Sequence, residues 1–393
     1  MPTASLPTKS PQIVRESALS EIDVYRGVAA LGVAALHIRE LTWIGVQKFW
    51  HLHGMELRPG AVIGYMTFPL VWGSIGVPVF FVLSGYCIHQ RQAVARSQYG
   101  SFCLSPGNFL ARRLFRVYPV LIAALFLTLI CDYTSGGFYP GSDKLGDIGF
   151  RSFIVNIFSL QGAVGRTYGS NGALWTLSVE VQFYILYPLL LVVMSRCGIK
   201  ITAIALLFGN ILSYFLFERL GFVVFSSYYF SWYLGVLLAE GRAIGFMSKE
   251  LSFVKFRFFV YTLSAVLLVS GCLVFFVSQY ISFQIWAFSC SIFLLARLNN
   301  EDINFGRLKR TMAWIGAFSF SLYITHLPVS VLVCSILFRS ERQMDIYPFF
   351  LCLAIAVLFG YIFFLVFERP ALGLSRLFRG GQVHSASATR WGA

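Results

Sequence analysis

Charge is scarce in this chain. Asp, Glu, Lys and Arg make up 12% of its 393 residues, roughly half of what a soluble globular domain carries. A soluble fold of this size is therefore excluded. Acidic residues are scarcer still, at 17 against 31 Lys and Arg, for a net charge of +14. That excess does not point to nucleic acid, because the basic residues sit in short loops between apolar runs, where membrane topology accounts for them. Two roles for cations stay open: attraction to anionic lipid head groups and capture of a phosphorylated cosubstrate.

Cysteines at metal or disulfide spacing are also missing. Cys87, Cys103, Cys131, Cys197, Cys272, Cys290, Cys334 and Cys352 are scattered, without a CxxC pair, and read as small apolar packing residues. No bound metal or permanent cofactor is expected. No internal repeat is visible, which argues against the repeat symmetry of many transporters. A cleavable leader is not expected either: residues 1–20 are polar, and the first apolar run carries Asp23, Arg26 and His37.

What is abundant is hydrophobic: 57% of the residues, 40 of them Phe. A membrane-spanning helix needs roughly 20 mainly apolar residues. Ten runs qualify, near Ile22–Ile44, Pro69–His89, Phe115–Tyr133, Ala173–Met194, Ile201–Phe217, Phe222–Ala239, Phe256–Ser278, Tyr280–Ala296, Met312–Phe338 and Tyr347–Phe367. The fold class is thus an all-α polytopic membrane protein of about ten transmembrane helices. Placing both termini in the cytoplasm puts about twenty Lys and Arg inside against about nine outside. The inside set includes Arg91, Arg96, Arg112, Arg113, Arg196, Lys200, Arg242, Lys249, Lys255, Arg257, Arg307, Lys309 and Arg310. Three parts follow: a cytoplasmic N-terminal segment (1–20), a ten-helix membrane domain (21–372) and a cytoplasmic basic tail (373–393). The outside segment from Thr134 to Gly172 is long enough to be a lid or acceptor-binding loop. Its stretch Phe150–Leu160 is too short to span and is expected to lie at the interface or re-enter.

Polar residues inside spans cost about 2.5–3.5 kcal/mol each on insertion scales. Arg26 and His37 are eleven residues apart on the first span, close to three full turns, so they share a face about 16 Å apart. Arg26 then stands at the cytoplasmic mouth and His37 near the midplane. The competing reading is a snorkelling arginine and a histidine hydrogen-bonded within the bundle. Arg113 and Arg116 are i and i+3 ahead of the third span, and their planar forks suit phosphate oxygens. Glu180 lies inside the fourth span, where it would meet His37 as an orienting partner or poise an acceptor. Ser178 is a weak nucleophile candidate that points elsewhere. Tyr323 and His326, also i and i+3, can line one cavity. Glu368, before Arg369 and Pro370, reads as an inter-helix ion pair.

Six blocks carry a family resemblance. They are Ile22–Ala30 with His37, Gly76–Tyr86, Phe109–Pro119, Trp175–Tyr184, Ser319–Val329 and Phe367–Pro370. In this order they resemble acyltransferase family 3, membrane proteins that O-acylate polysaccharides, lipopolysaccharide, Nod factors and macrolides. The family's Arg-X10-His motif falls on Arg26 and His37, and its Arg-x-x-Arg motif on Arg113 and Arg116. The resemblance implies a cytoplasmic acyl-CoA donor, usually acetyl-CoA, and a glycan or glycolipid acceptor at the opposite face. It also implies a bacterial inner membrane. Val24 replaces a common Gly, Pro78 a common Asp, and Val181 a second Glu; the SGNH domain fused to some members is not expected.

The function expected from the sequence is therefore membrane O-acyl transfer, with membrane lipids and no nucleic acid as its other surroundings. His37 is the general base or a transient acyl carrier and Glu180 assists. Arg26, Arg113 and Arg116 bind donor phosphates. Ser84 contacts the donor, because Gly85 permits close backbone approach. Asp23, Tyr323 and His326 support the site. The alternative from another class is a proton-coupled secondary transporter using the same His and Glu.

Overall fold

The computed structural model describes residues 11–54, 57–246, 253–298 and 306–379. Among these there is no β-strand, and helices follow one another with short connections. In order they are α1 (Pro11–Thr42), α2 (Val46–His53), α3 (Pro59–Met66), α4 (Gly76–Tyr99), α5 (Pro106–Phe138), α6 (Phe150–Ile157), α7 (Leu174–Cys197) and α8 (Ile199–Leu216). Then come α9 (Tyr229–Ala243), α10 (Val254–Val274), α11 (Gln279–Leu298), α12 (Arg307–Ala317), α13 (Ser319–Phe338), α14 (Tyr347–Phe363) and α15 (Arg369–Arg376). A 3-10 segment, Phe68–Ile75, leads into α4. Proline at the first turn starts α3 and α5, where its missing N–H costs nothing.

Eight stretches are long and apolar enough to cross a membrane: Pro59–Tyr99, Pro106–Phe138, Leu174–Cys197, Ile199–Leu220, Val254–Val274, Gln279–Leu298, Ser319–Phe338 and Tyr347–Arg376. The protein is an integral, all-α polytopic membrane protein. Two of the ten expected spans are not in that set. α1 has the length, with 32 residues, but carries the charges that mark the site. α9 has 15 residues, about 22 Å of rise against a hydrocarbon core of about 30 Å. It is nonetheless enclosed, with Trp232, Tyr233 and Val236 fully buried.

Other boundaries shift for local reasons. The expected ninth span, Met312–Phe338, is two helices: the chain leaves helical geometry at Phe318, between α12 and α13. α1 begins at Pro11, well ahead of residue 21, and α15 runs across the expected tail boundary at 372. Lys249, residues 1–10 and the tail beyond 379 lie outside the described residues.

The centre and rim of the bundle follow from burial. In α13 67% of the apolar window is enclosed, whereas α8 and α10 enclose only 17% each and line the periphery. Close crossings depend on missing side chains. A Cβ on Gly27 would stand 2.0 Å from the Met312 carbonyl oxygen, and one on Gly316 would stand 1.8 Å from that of Asp23. This pair lets α1 and α12 touch backbone to backbone, as small residues do between membrane helices. Gly85 and Gly235 do the same for α4 and α9, each facing a carbonyl of the other helix. Gly85 thus serves helix packing against Trp232, and the neighbouring Ser84 faces the cavity described below.

Pro328 interrupts α13 and leaves the Ile324 carbonyl without its i+4 donor. Asn171 supplies the missing hydrogen bond through Nδ2, at 2.8 Å. The long segment before α7 is therefore structural rather than loose. Asp132 accepts from the Ser170 backbone N–H and hydroxyl, both at 2.6 Å. Lys144 donates to the carbonyls of Leu41 at 3.0 Å and Ser340 at 2.5 Å, strapping the segment across the ends of α1 and α13. The apolar stretch forms α6, eight residues with Phe150 exposed and Asn156 buried, a helix too short to span.

Candidate active site

A cavity of about 590 Å³ opens at the end of the bundle that carries Arg113. Helices α1, α4, α5, α7 and α13 wall it. Five arginines line it (Arg26, Arg91, Arg112, Arg113 and Arg116) against three carboxylates, those of Asp23, Glu180 and Glu368. Cations therefore dominate a space enclosed by apolar helices, where their field is weakly screened.

Each arginine is set by its neighbours. Arg26 pairs with Asp23 at 3.7 Å, one turn earlier on α1, and its Nη2 lies 3.7 Å from the Cys87 sulfur. The Arg113 guanidinium lies between two rings, 5.6 Å from Phe109 and 5.4 Å from Tyr184. Both rings are within cation–π range and help to hold the guanidinium in the chamber. Neither Arg113 nor Arg116 is in ion-pair contact with a carboxylate among the described residues. Arg116 shares the chamber with Asp23 and Glu368, close enough for the charges to act on each other.

Glu180 is held from two sides. Ser84 donates to its Oε1 at 2.9 Å, and the Tyr184 hydroxyl, one turn along α7, donates to the same oxygen. Trp232 Nε1 in turn donates to Ser84 at 3.3 Å. The expected meeting of Glu180 and His37 does not occur: the carboxylate is engaged with Ser84 and Tyr184. Glu368 likewise makes a hydrogen-bonded contact instead of the expected ion pair. It accepts from the Ser321 backbone N–H at 3.1 Å and hydroxyl at 2.6 Å, satisfying the first turn of α13. Ser178 donates to backbone carbonyls of Gln161 and Trp175, which leaves no part for it as a nucleophile.

The partner of His37 is His326. Nδ1 of His37 lies 2.9 Å from Nε2 of His326, with the rings parallel and 5.2 Å apart. Nδ1 of His326 lies 3.2 Å from the Leu322 carbonyl, which can only accept. If that nitrogen holds the proton, Nε2 of a neutral His326 is an acceptor. Nδ1 of His37 must then donate, and the lone pair of a neutral His37 sits on Nε2. His326 is fully buried and His37 half-buried.

The histidine pair does not line the arginine chamber. The lining reaches Phe80, Thr176 and Tyr323, and His326 lies one turn further along α13. Thr176 donates to the Tyr323 hydroxyl at 2.9 Å, and Phe80 meets the Tyr323 ring edge to face at 5.6 Å. Tyr323 thus belongs to the chamber and His326 does not, so the two do not share one cavity as the i, i+3 spacing suggested.

One buried cluster has no counterpart among the sequence-based expectations. His89 is 2.9 Å from the Tyr187 hydroxyl through Nδ1 and 2.8 Å from Glu240 through Nε2, and Arg96 grips Glu240 with two nitrogens at 3.0 and 2.7 Å. Tyr187 packs on Phe109 at 5.1 Å, beneath Arg113. The sequence gives little signal for it, since His89 ends one expected span and Glu240 directly follows another. Among the described residues no group of His, Cys, Asp and Glu is arranged to hold a metal ion.

An arginine-walled chamber sunk into a helical membrane bundle, with a histidine pair beyond it, is the candidate active site of a polytopic membrane protein. An acyltransferase domain matches residues 19–365, and the chain belongs to that family. Three bacterial relatives show the range of likeness. A Bacillus subtilis (strain 168) protein, provisionally named peptidoglycan O-acetyltransferase YrhL, is 26% identical over 73% of this chain and 50% of its own length. Nodulation protein 10 of Rhizobium leguminosarum bv. viciae is 26% identical over 37% of this chain and 41% of its own. A Staphylococcus aureus (strain COL) protein, provisionally named O-acetyltransferase SACOL0978, is 24% identical over 82% of this chain and 58% of its own. The chain thus spans about half the length of these relatives. No solved structure matches it.

Proposed function

We propose that the protein transfers an acyl group, most simply acetyl, from a cytoplasmic acyl-CoA to a hydroxyl of a cell-envelope or exported glycan. The membrane in this reading is a bacterial cytoplasmic membrane. The observation that carries the reading is the pair of sites along α1: a cation-rich chamber at Arg26 and, three turns further, an imidazole held by His326.

Arg26, Arg113 and Arg116 take the donor phosphates, and the pantetheine arm runs inward past Phe80 and Tyr323. Glu180, fixed by Ser84 and Tyr184, shapes the chamber and is not the group that orients His37; His326 has that role. In the transfer step His37 Nε2 takes the proton of the acceptor hydroxyl as its oxygen attacks the thioester carbonyl. The C–O bond forms, the C–S bond breaks, and the proton passes to the departing thiolate. The positive charge that develops on His37 is shared with His326 through their hydrogen bond. The acyltransferase family and the relatives named as O-acetyltransferases support acyl transfer. The arginines support a phosphorylated donor.

The test is acetyl-CoA binding and release of free CoA by the purified protein, with cell-envelope glycans as acceptor. Saturable binding and glycan-dependent CoA release are expected. Proton-coupled uptake of a solute by protein that binds no acyl-CoA would establish the transporter in its place.

A further inference from the structure

At the end of the molecule opposite the arginine chamber lies an open groove of about 570 Å³. Arg39, Lys48 and Arg342 line it together with Leu52, Phe68 and Val71. Our topology places this end outside, where cations run against the usual bias and call for another reason.

The groove is built, not incidental. Arg39 is only 6% exposed. Its Nε donates to the Thr67 hydroxyl at 2.9 Å and its guanidinium lies 4.7 Å over the Trp43 ring. Its Nη groups have no hydrogen-bond partner among the described residues, although Arg39 lines the groove. The guanidinium is thus held over Trp43 with its free edge on the groove. The backbone beside Arg342 is pinned to the end of α1: the Gln343 N–H donates to the Thr42 carbonyl at 2.7 Å, and the Gln343 carbonyl accepts from the Ile44 N–H at 3.2 Å. Gly45, at φ 86°, turns the chain into α2. Phe49, 1% exposed against Trp43 and Tyr65, sets the rotation of α2, and Lys48 and His51 come to the groove one turn apart. No carboxylate is among the lining residues. Glu40, exposed beside Arg39 and Arg342, offsets part of their charge.

Two planar forks and an ammonium around one space suit the several oxygens of a phosphate. The rest of the lining does not suit a free sugar phosphate. Leu52 is 57% and Phe68 42% exposed. Charge for a head and bare hydrocarbon beside it describe an amphiphile at a membrane interface. We propose that this groove binds the anionic phosphate of an amphiphile, its oxygens on Arg39, Lys48 and Arg342 and its chain along Leu52, Phe68 and Val71. Residues 37 and 39 are about 200° apart around α1, so the phosphate is an anchor and not a reacting group. The proposal rests on reading this end as the acceptor side, and it names the acceptor class: a glycan carried on a lipid phosphate.

The experiment uses the full-length protein in detergent, exchanged with phosphatidylcholine, phosphatidylglycerol or a long-chain isoprenyl monophosphate, and reads retained lipid by native mass spectrometry. The wild type is expected to retain the anionic lipids about tenfold over phosphatidylcholine. Lys48→Glu, at an exposed position, and Arg39→Gln/Arg342→Gln are expected to lose that preference while still binding CoA. Isoprenyl phosphate held over phosphatidylglycerol assigns the site to a lipid-linked acceptor; equal retention assigns it to bilayer head groups. Equal retention of all three lipids by the wild type, or an unchanged preference in Lys48→Glu, overturns the proposal. Displacement by millimolar inorganic phosphate overturns the part played by the chain. CoA release measured on the same samples separates the two readings, because lost turnover with intact lipid preference sinks acyl transfer alone.

Discussion

His37→Ala is expected to lower acyl transfer by roughly 10²- to 10⁴-fold, the span covered by general acid–base catalysis. CoA affinity and the thermal transition should hardly change. His37 is half-buried and outside the arginine chamber, so its loss removes neither a donor contact nor a large packed side chain. His326→Leu is the companion variant. It takes away the acceptor for His37 Nδ1–H and frees the imidazole to rotate or change tautomer, with an expected loss of about 10²-fold in kcat. His326→Gln offers an amide oxygen in the same region and should recover part of that loss. A structural role alone would lower the yield of folded protein in both His326 variants and would show no such recovery. Transfer at the wild-type rate in His37→Ala would remove the imidazole from the mechanism.

The double variant Arg113→Ala/Arg116→Ala is expected to act on binding instead. A hydrogen bond to a charged group contributes about 1.5–3 kcal/mol. Two such losses weaken CoA affinity by roughly 10²- to 10⁴-fold. At saturating donor the rate should stay within a few fold, because both guanidiniums lie a full chamber away from the histidine pair. Arg113→Lys is expected to recover little, since an ammonium neither fills the slot between Phe109 and Tyr184 in the same way nor presents a fork. Isothermal titration with CoA, beside dephospho-CoA, reads the effect directly. A change below about threefold in the double variant would put the donor phosphates elsewhere.

The parts of the site that lie within one helix are legible in the amino-acid sequence. Arg26 and His37 share a face because eleven residues make three turns, and Arg113 and Arg116 because three residues make one. Pairings across helices are not legible. His326 lies 289 positions from His37, and Ser84 lies 96 from Glu180. Nothing in either local sequence selects the partner, so placing Glu180 beside His37 has only the cost of burial and the chemistry behind it. Gly85 is ambiguous for a related reason. A glycine announces close approach without saying what approaches, and here it is the Trp232 carbonyl.

The fold shows the same division. Hydropathy finds long apolar windows and is blind to a break inside one. α12 and α13 therefore merge into a single apolar run across Phe318, where the Ser319–Ser321 turn meets Glu368. α9 has the composition of a span without its length, because in the bundle it is surrounded by protein. His89, Glu240 and Arg96 satisfy one another in the interior, and each alone resembles an ordinary polar residue near a helix end.

Sidedness is the most direct test of the central claim that an acyl group passes from the arginine chamber to an acceptor at the opposite end. Proteoliposomes oriented with Arg113 facing the lumen would be loaded with labelled acetyl-CoA, washed free of external donor, and supplied with glycan acceptor outside only. Label is expected on the external glycan at a rate set by luminal acetyl-CoA, and absent with His37→Ala. Labelling only when donor and acceptor share one compartment would contradict transfer through the bundle.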